Sequence, residues 1–330
     1  MSAIYLISDR TTAKKDHGRI LLENADGTSR GVPIGDVDSL VVGRRAHITM
    51  PLLFAMLERG KPLSFVNGKG ELLASMGGET MTVCRLLSQQ ASFSDEETRL
   101  ALVRKIVREK IRRQKKLLRS YAKSKETAVV ADALALCQKQ TDRLDDVEEL
   151  RGCEGMASRL YFSAFPEILD QTLWPWKGRN RRPAQDPVNA LLNLGYAFLE
   201  KEVRIAIVGA RLDPRIGFFH ANNGRKDSLV FDLMEPFRQP VVDRFVLRTL
   251  NYGALAPDDF RTTMDDGCRL TEKAFPLWCA SYEDYMEKPV KAYGGETPRA
   301  MIRKEVRQFA ETVFHGTEPA QTEEGGGKIP

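Results

Sequence analysis

Residues 62–78 read PLSFVNGKGELLASMGG, and here a strand-like pattern gives way to a helical one. LSFV and ELLASM are apolar runs of strand length. Asn67-Gly68-Lys69-Gly70 between them is hairpin chemistry, because Asn and Gly tolerate the positive φ of tight turns. Gly77 and Gly78 then read as a linker. Towards the N-terminus, AIYLIS, RILLEN and DSLVVG repeat the strand pattern, separated by the turn signals DHG and ADG. Thr49-Met50-Pro51 followed by LLFAMLERG predicts one helix, with Pro early and Gly at its end. Beyond residue 77, apolar residues recur at helical spacing in long segments with few strand signals. The expected fold is α+β: a small N-terminal β-rich domain at 1–76, then a larger, mainly α-helical domain at 77–315. The final stretch, GTEPAQTEEGGGKIP at 316–330, lacks apolar periodicity and reads as a disordered tail.

Composition excludes several classes. The chain has 330 residues, 42% of them hydrophobic, enough for a sizeable core. No apolar run approaches the ~20 residues of a membrane span, and the N-terminus lacks a secretory apolar region, so a cytoplasmic protein is expected. Cys84, Cys137, Cys153, Cys268 and Cys279 are odd in number, scattered and without a Cys-x-x-Cys pair, which argues against a disulfide framework or zinc site. Net charge is only +5, so any case for nucleic acid rests on how the charge is distributed.

That distribution is uneven. Between Arg99 and Lys125, twelve of 27 residues are Lys or Arg and only Glu109 is acidic. Leu100, Val103, Val107, Ile111 and Leu118 lie at helical spacing, so a long cationic helix is expected with one packed stripe. A solvated helix usually intersperses Glu to gain i,i+4 pairs, and this one does not; its excess of one sign points to phosphate contact through Arg104, Arg108, Arg112 and Lys115. A second cluster, WPWKGRNRRP at 174–183, mixes aromatics with Lys177, Arg179, Arg181 and Arg182 ahead of a helix start at Asp186-Pro187. Its Arg residues suit phosphate and its Trp rings could stack on bases; the alternative is a connecting loop with Trp in the core.

The chemistry-bearing stretch is LDPRIGFFHANNGRKDSLVFDLMEPFR at 212–238, where His220 precedes Asp232 by twelve residues and Glu235 by fifteen. One returning loop could bring those carboxylates to the imidazole. Taken alone, Asp232-x-x-Glu235 equally resembles a capping box, and His220 after Phe218-Phe219 a satisfied core histidine. Glu154, in RGCEG ahead of MASRLYFSAF, is equally explained by a helix dipole.

RGCEG, WKGRNRRPAQDPVNALLNLGYAFLE and LDPRIGFFHANNGRKDSLVFDLMEPFRQPVVDRFVL, in this order over residues 151–247, resemble the CRISPR-associated endonuclease/integrase of spacer acquisition, the Cas protein one family. The resemblance implies metal ligands at Glu154, His220 and Glu235, with Asp232 as an accessory acid. It implies Mg²⁺ or Mn²⁺, which two carboxylates and a neutral imidazole suit, with the imidazole favouring Mn²⁺. It further implies transesterification that joins the 3′-OH of prespacer DNA to a phosphodiester of the CRISPR repeat. The same site with water as nucleophile would be a metal-dependent endonuclease, and without a divalent ion the chain would be a DNA-binding scaffold. Double-stranded DNA is the expected partner, held also by Arg225 and Arg238, together with a homodimer through the β-rich domain and a complex with Cas protein two. Two departures from the family pattern are Gln239 between Arg238 and Pro240, and Cys153 beside Glu154.

Overall fold

The structure, a computed structural model, describes residues 2–7, 10–67, 72–77, 82–121, 124–180, 183–222, 227–291 and 294–315. Strand β1 (Ser2–Leu6) opens the chain, and a three-stranded meander follows: β2 (Thr12–Asp16), β3 (Arg19–Glu23) and β4 (Ser29–Pro33). Next come β5 (Val37–Gly43), the short β6 (His47–Ile48), α1 (Met50–Leu57), β7 (Leu63–Val66) and β8 (Leu72–Met76). One sheet runs β1-β5-β7-β8 and the other β4-β3-β2-β6. β5 is central and parallel to both neighbours, which explains its nearly continuous apolar run: Val37, Leu40, Val41 and Val42 are all buried. All five expected apolar runs form strands. β7 and β8 pair antiparallel, with Leu63 opposite Met76 and Phe65 opposite Ala74; the turn at 68–71 lies outside the described residues. Helix α1 has Pro51 in its first turn and Gly60 at φ +63° beyond its end.

The rest of the chain is mostly helical: α2 (Val83–Ser94), α3 (Glu96–Tyr121), α4 (Lys125–Gln140), α5 (Val147–Ser163), α6 (Pro187–Gly209), α7 (Ser228–Met234), α8 (Arg244–Asn251), α9 (Ala274–Glu287) and α10 (Pro298–His315). A small hairpin of β9 (Phe260–Thr263) and β10 (Gly267–Leu270) interrupts it. Between α7 and α8 the chain passes through a 3-10 turn at Glu235–Phe237 and a π-helical turn at Arg238–Asp243. Widened turns of this kind occur often at functional sites, because they re-aim side chains. α3 is a core helix: Leu102, Val103, Ile106, Val107, Ile111 and Leu118 are buried against α4 and α5.

Two hydrophobic cores form, one under the sheets around Leu40, Leu52 and Met56, the other among the helices. They are joined where Tyr5 of β1 stacks on Phe198 of α6 and Asp38 pairs with Arg303 of α10 at 2.9 Å. Among the described residues no helix is long and apolar enough to cross a membrane. The stretch 316–330 lies outside the described residues.

Candidate active site

Asp232 organises the site from a fully buried position in the last turn of α7. One carboxylate oxygen, Oδ2, accepts from the backbone N–H groups of Phe218 (2.6 Å) and Phe219 (3.0 Å). The other, Oδ1, accepts from the N–H of His220 (2.8 Å) and lies 2.7 Å from its Nδ1. A carboxylate only accepts, so Nδ1 is the donor of this pair and Nε2 is the ring nitrogen left for a ligand. Asp232 is therefore a positioning residue. The close fit demands glycine at 217, where a Cβ would come 2.7 Å from the Ser228 Cβ and 2.9 Å from Asp232 Oδ2. Arg99 and Arg151 donate to the carbonyls of Phe218 (2.9 Å) and Phe219 (2.7 Å), so the loop is held from both sides.

These contacts decide two readings that the residues alone left open. Asp232 and Glu235 lie at the C-terminal end of α7, so they form no capping box. The His220 side chain is 36% exposed and opens outward, unlike a satisfied core histidine. Glu154 is likewise not in a first helical turn: α5 begins at Val147, which puts Glu154 two turns in. Gly152 and Gly155 on either side of it sit in open space and do not interrupt the helix.

Glu154 and Glu235 converge on a single cation, the ammonium of Lys110 on α3. Lys110 pairs with Glu154 Oε1 and lies 2.5 Å from Glu235 Oε2. All three side chains are largely withdrawn from solvent, at 7% exposure for Lys110, 19% for Glu154 and 8% for Glu235. Ser158 donates to Glu154 Oε1 (2.8 Å) and Arg238 to Glu235 Oε1 (3.1 Å). Burial alone would raise the Glu235 carboxyl, but the charges of Arg238 and Lys110 overcome it and hold it at about 2. The turn that carries Glu235 is clamped by buried Arg113, which donates to the Pro236 carbonyl (3.2 Å), pairs with Glu305 of α10 (2.6 Å) and lies over the Phe237 ring.

Among the described residues, no three His, Cys, Asp or Glu side chains are close enough to hold a metal ion as they stand. The donor chemistry nevertheless suits one. Two carboxylates from separate segments of the chain already share a cation, and Lys110 is the partner of the buried Glu235 Oε2. Oxygen donors with one imidazole nitrogen match a hard divalent ion.

Behind this centre, Asp243 is fully buried and accepts from Tyr161 (2.8 Å) and Tyr196 (2.6 Å). Burial raises its carboxyl to about 6, and those hydrogen bonds only partly offset the shift. The folded group thus keeps its proton to about pH 6, whereas the unfolded one loses it near 3.9. Stability should then fall by up to about 3 kcal/mol as pH rises from about 4 to 6. Asp243→Asn should lack that decline in denaturant unfolding followed from pH 4 to 7; parallel profiles for the two proteins would contradict this origin.

The cations expected to meet DNA are less free than their local sequence implies. Arg104 donates to the carbonyls of Thr141 (3.1 Å) and Leu144 (2.7 Å), Arg108 pairs with Asp142 (2.9 Å), Arg112 with Glu109 (2.6 Å), and Lys115 donates to Gln138 (2.7 Å). Acidic partners arrive from the α4–α5 connection, outside the window in which Glu109 is the only acid. Arg108 and Arg112 remain exposed. Together with Arg104, Lys105 and Lys304 they line a groove of about 850 Å³ between α3 and α10, which Glu109, Glu296 and Glu305 also line. Lys177 is exposed, while Arg179 is tied to Asn189 (2.8 Å) and Asn193 (2.6 Å). Arg238 serves Glu235 and lies over the Tyr196 ring. Arg181, Arg182 and Arg225 lie outside the described residues. Trp174 and Trp176 are buried in the core, so neither ring is available to stack on a base.

Sequence reasoning missed Lys110, Arg113, Gln114 and Ser158. The signal for Lys110 and Gln114 was their spacing: they continue the stripe of Val103 and Val107, where polar residues are unexpected.

A model of the CRISPR associated protein Cas1 family matches residues 4–284. The chain is 35% identical over 254 residues to CRISPR-associated endonuclease Cas1 1 of Thermus thermophilus, covering 77% of each protein. Its fold superposes on the Cas1 protein TM1797 of Thermotoga maritima with TM-score 0.82 at 25% identity, covering 96% of this chain and 98% of that one. A casposase bound to integration product shares the fold, with TM-score 0.80 at 22% identity, covering 97% of this chain and 92% of that one. Some relatives are longer: the chain spans 53% of the length of a Cas4 exonuclease/Cas1 endonuclease fusion from Rhodospirillum rubrum, at 30% identity over 91% of this chain. The match runs through both the β-rich start and the mainly helical part that contains Glu154, His220 and Glu235, and on this ground the chain belongs to the CRISPR associated protein Cas1 family.

Proposed function

We propose that the protein is a DNA integrase of spacer acquisition, joining the 3′-OH of prespacer DNA to a phosphodiester of the CRISPR repeat by transesterification. The observation that carries this reading is the meeting of Glu154 and Glu235 on one cation next to an imidazole whose Nδ1 is held by Asp232. Glu154, Glu235 and Nε2 of His220 would hold Mg²⁺ or Mn²⁺. Such an ion, when bound, supplies Lewis acidity towards a phosphodiester oxygen and eases deprotonation of a hydroxyl. The protein's own groups do the rest. Asp232 fixes the imidazole tautomer, and Arg238 keeps Glu235 ionised, so cation binding there displaces no proton at neutral pH. One phosphodiester replaces another, so the reaction requires neither an energy source nor a covalent protein intermediate.

DNA is the proposed substrate, with a homodimer and Cas protein two completing the assembly. Exposed Arg108, Arg112 and Lys177 are the candidates for phosphate contact that can be removed without cutting into the core. Replacing all three with Ala should weaken duplex binding and flatten the salt dependence by about 2–3 in the log–log slope. Filter binding over a salt series checks this, and an unchanged slope would remove these residues from the DNA surface.

The reaction class is tested by offering wild type, with Mn²⁺ and Cas protein two, a labelled 3′-OH duplex and a supercoiled plasmid carrying the repeat. Joined product supports the integrase. Cut DNA without joining would instead make the protein an endonuclease that uses water.

A further inference from the structure

Lys110 is a cation on the buried stripe of α3, and its ammonium stands between the two carboxylates assigned above to a divalent ion. Its ammonium lies 2.5 Å from Glu235 Oε2, and among the described residues Lys110 alone serves that oxygen. Lysine suits a reversible contact. Its charge is a compact point on a flexible stem, whereas arginine would lock onto a carboxylate through two parallel bonds. One turn further along the same stripe is Gln114, fully buried, whose Nε2 reaches only Ser158 (3.3 Å) and whose Oε1 has no partner. A buried carbonyl oxygen left without a donor costs about 1–3 kcal/mol. Residues four apart on a helix are neighbours, so the Lys110 ammonium can turn from Glu154 to Gln114 Oε1 without leaving the interior.

We infer that Lys110 is a displaceable counter-cation of the Glu154–Glu235 pair, which an entering divalent ion expels, and that Gln114 Oε1 receives the withdrawn ammonium. This rests on the metal reading proposed above. In metal-free protein Lys110 keeps the partly buried Glu154 and the buried Glu235 from repelling each other. On loading, it gives way, so metal affinity is set by competition with the protein's own charge.

The test is Mn²⁺ binding to DNA-free protein, followed by calorimetry and by the loss of the free-ion EPR signal, with no reaction involved. Wild type, Lys110→Met, Gln114→Leu and Glu235→Ala are compared. Lys110→Met should bind Mn²⁺ about tenfold more tightly; metal-free, it should melt at least about 5 °C lower than wild type, and recover on Mn²⁺ addition. Gln114→Leu should bind several-fold more weakly, with its metal-free stability little changed. Unchanged or weaker Mn²⁺ binding by Lys110→Met would overturn the competition, and unchanged binding by Gln114→Leu would overturn the withdrawal. Should Lys110→Met fail to fold, Gln114→Leu decides alone. Wild type that shows no saturable binding abolished by Glu235→Ala would instead overturn the metal reading itself, and this inference with it.

Discussion

Asp232→Asn is expected to lower stability by about 3 kcal/mol and, in the fraction that folds, to reduce joined DNA product about a hundredfold. The carboxylate accepts three backbone N–H groups, from Phe218, Phe219 and His220, and stands 2.7 Å from His220 Nδ1. An amide of the same shape has one oxygen, so its NH₂ group must face donors. At least one buried N–H would then lose its partner, at about 1–3 kcal/mol each. The imidazole also loses the acceptor that fixes its tautomer, so Nε2 is no longer reliably a lone pair. Denaturant unfolding checks the first effect and plasmid joining the second. An Asn variant as stable and as active as wild type would mean that the loop and imidazole are held by Arg99, Arg151 and the Phe218-Phe219 packing alone.

How far the sequence could be read differs by element, for physical reasons. The strands β1, β3, β5 and β7 were legible because apolar residues of each sit on a buried face, whereas β8 shows the apolar run although Leu73 and Met76 are exposed. β2 and β4, with sequences TAKKD and SRGVP, were not: each has few apolar residues, only Ala13 of the two is buried, and pairing with β3 decides their conformation. His220, Asp232 and Glu235 could be found by spacing because one loop and one short helix connect them. The division of labour between the two acids could not, since it depends on which one points at the backbone of residues 218–220. Lys110 was hidden inside a cationic run. Counting charge along the chain treats that run as a surface, whereas the fold turns one of its lysines inward to neutralise Glu154 and Glu235. The same counting missed Asp142 and Asp145, which reach α3 from another helix connection. WPWKGR shows the converse: its Trp residues follow the hydrophobic rule and are buried, whatever charges surround them.

If Glu154, His220 and Glu235 perform the joining, Glu235 is the most exacting of the three. Two cations, Lys110 and Arg238, flank this single carboxylate, and removing it leaves both short of a partner. Glu235→Ala is therefore expected to lose about 3–5 kcal/mol of stability as well as function, and Glu235→Gln is the companion that preserves volume. The decisive measurement is transfer of a labelled 3′-OH duplex into a repeat-bearing plasmid with Mn²⁺ and Cas protein two, using variants shown by circular dichroism to be folded. Joined product is expected from wild type and at least about a thousandfold less from either variant. Joining by folded Glu235→Ala at the wild-type level would contradict this role and place the chemistry elsewhere in the molecule.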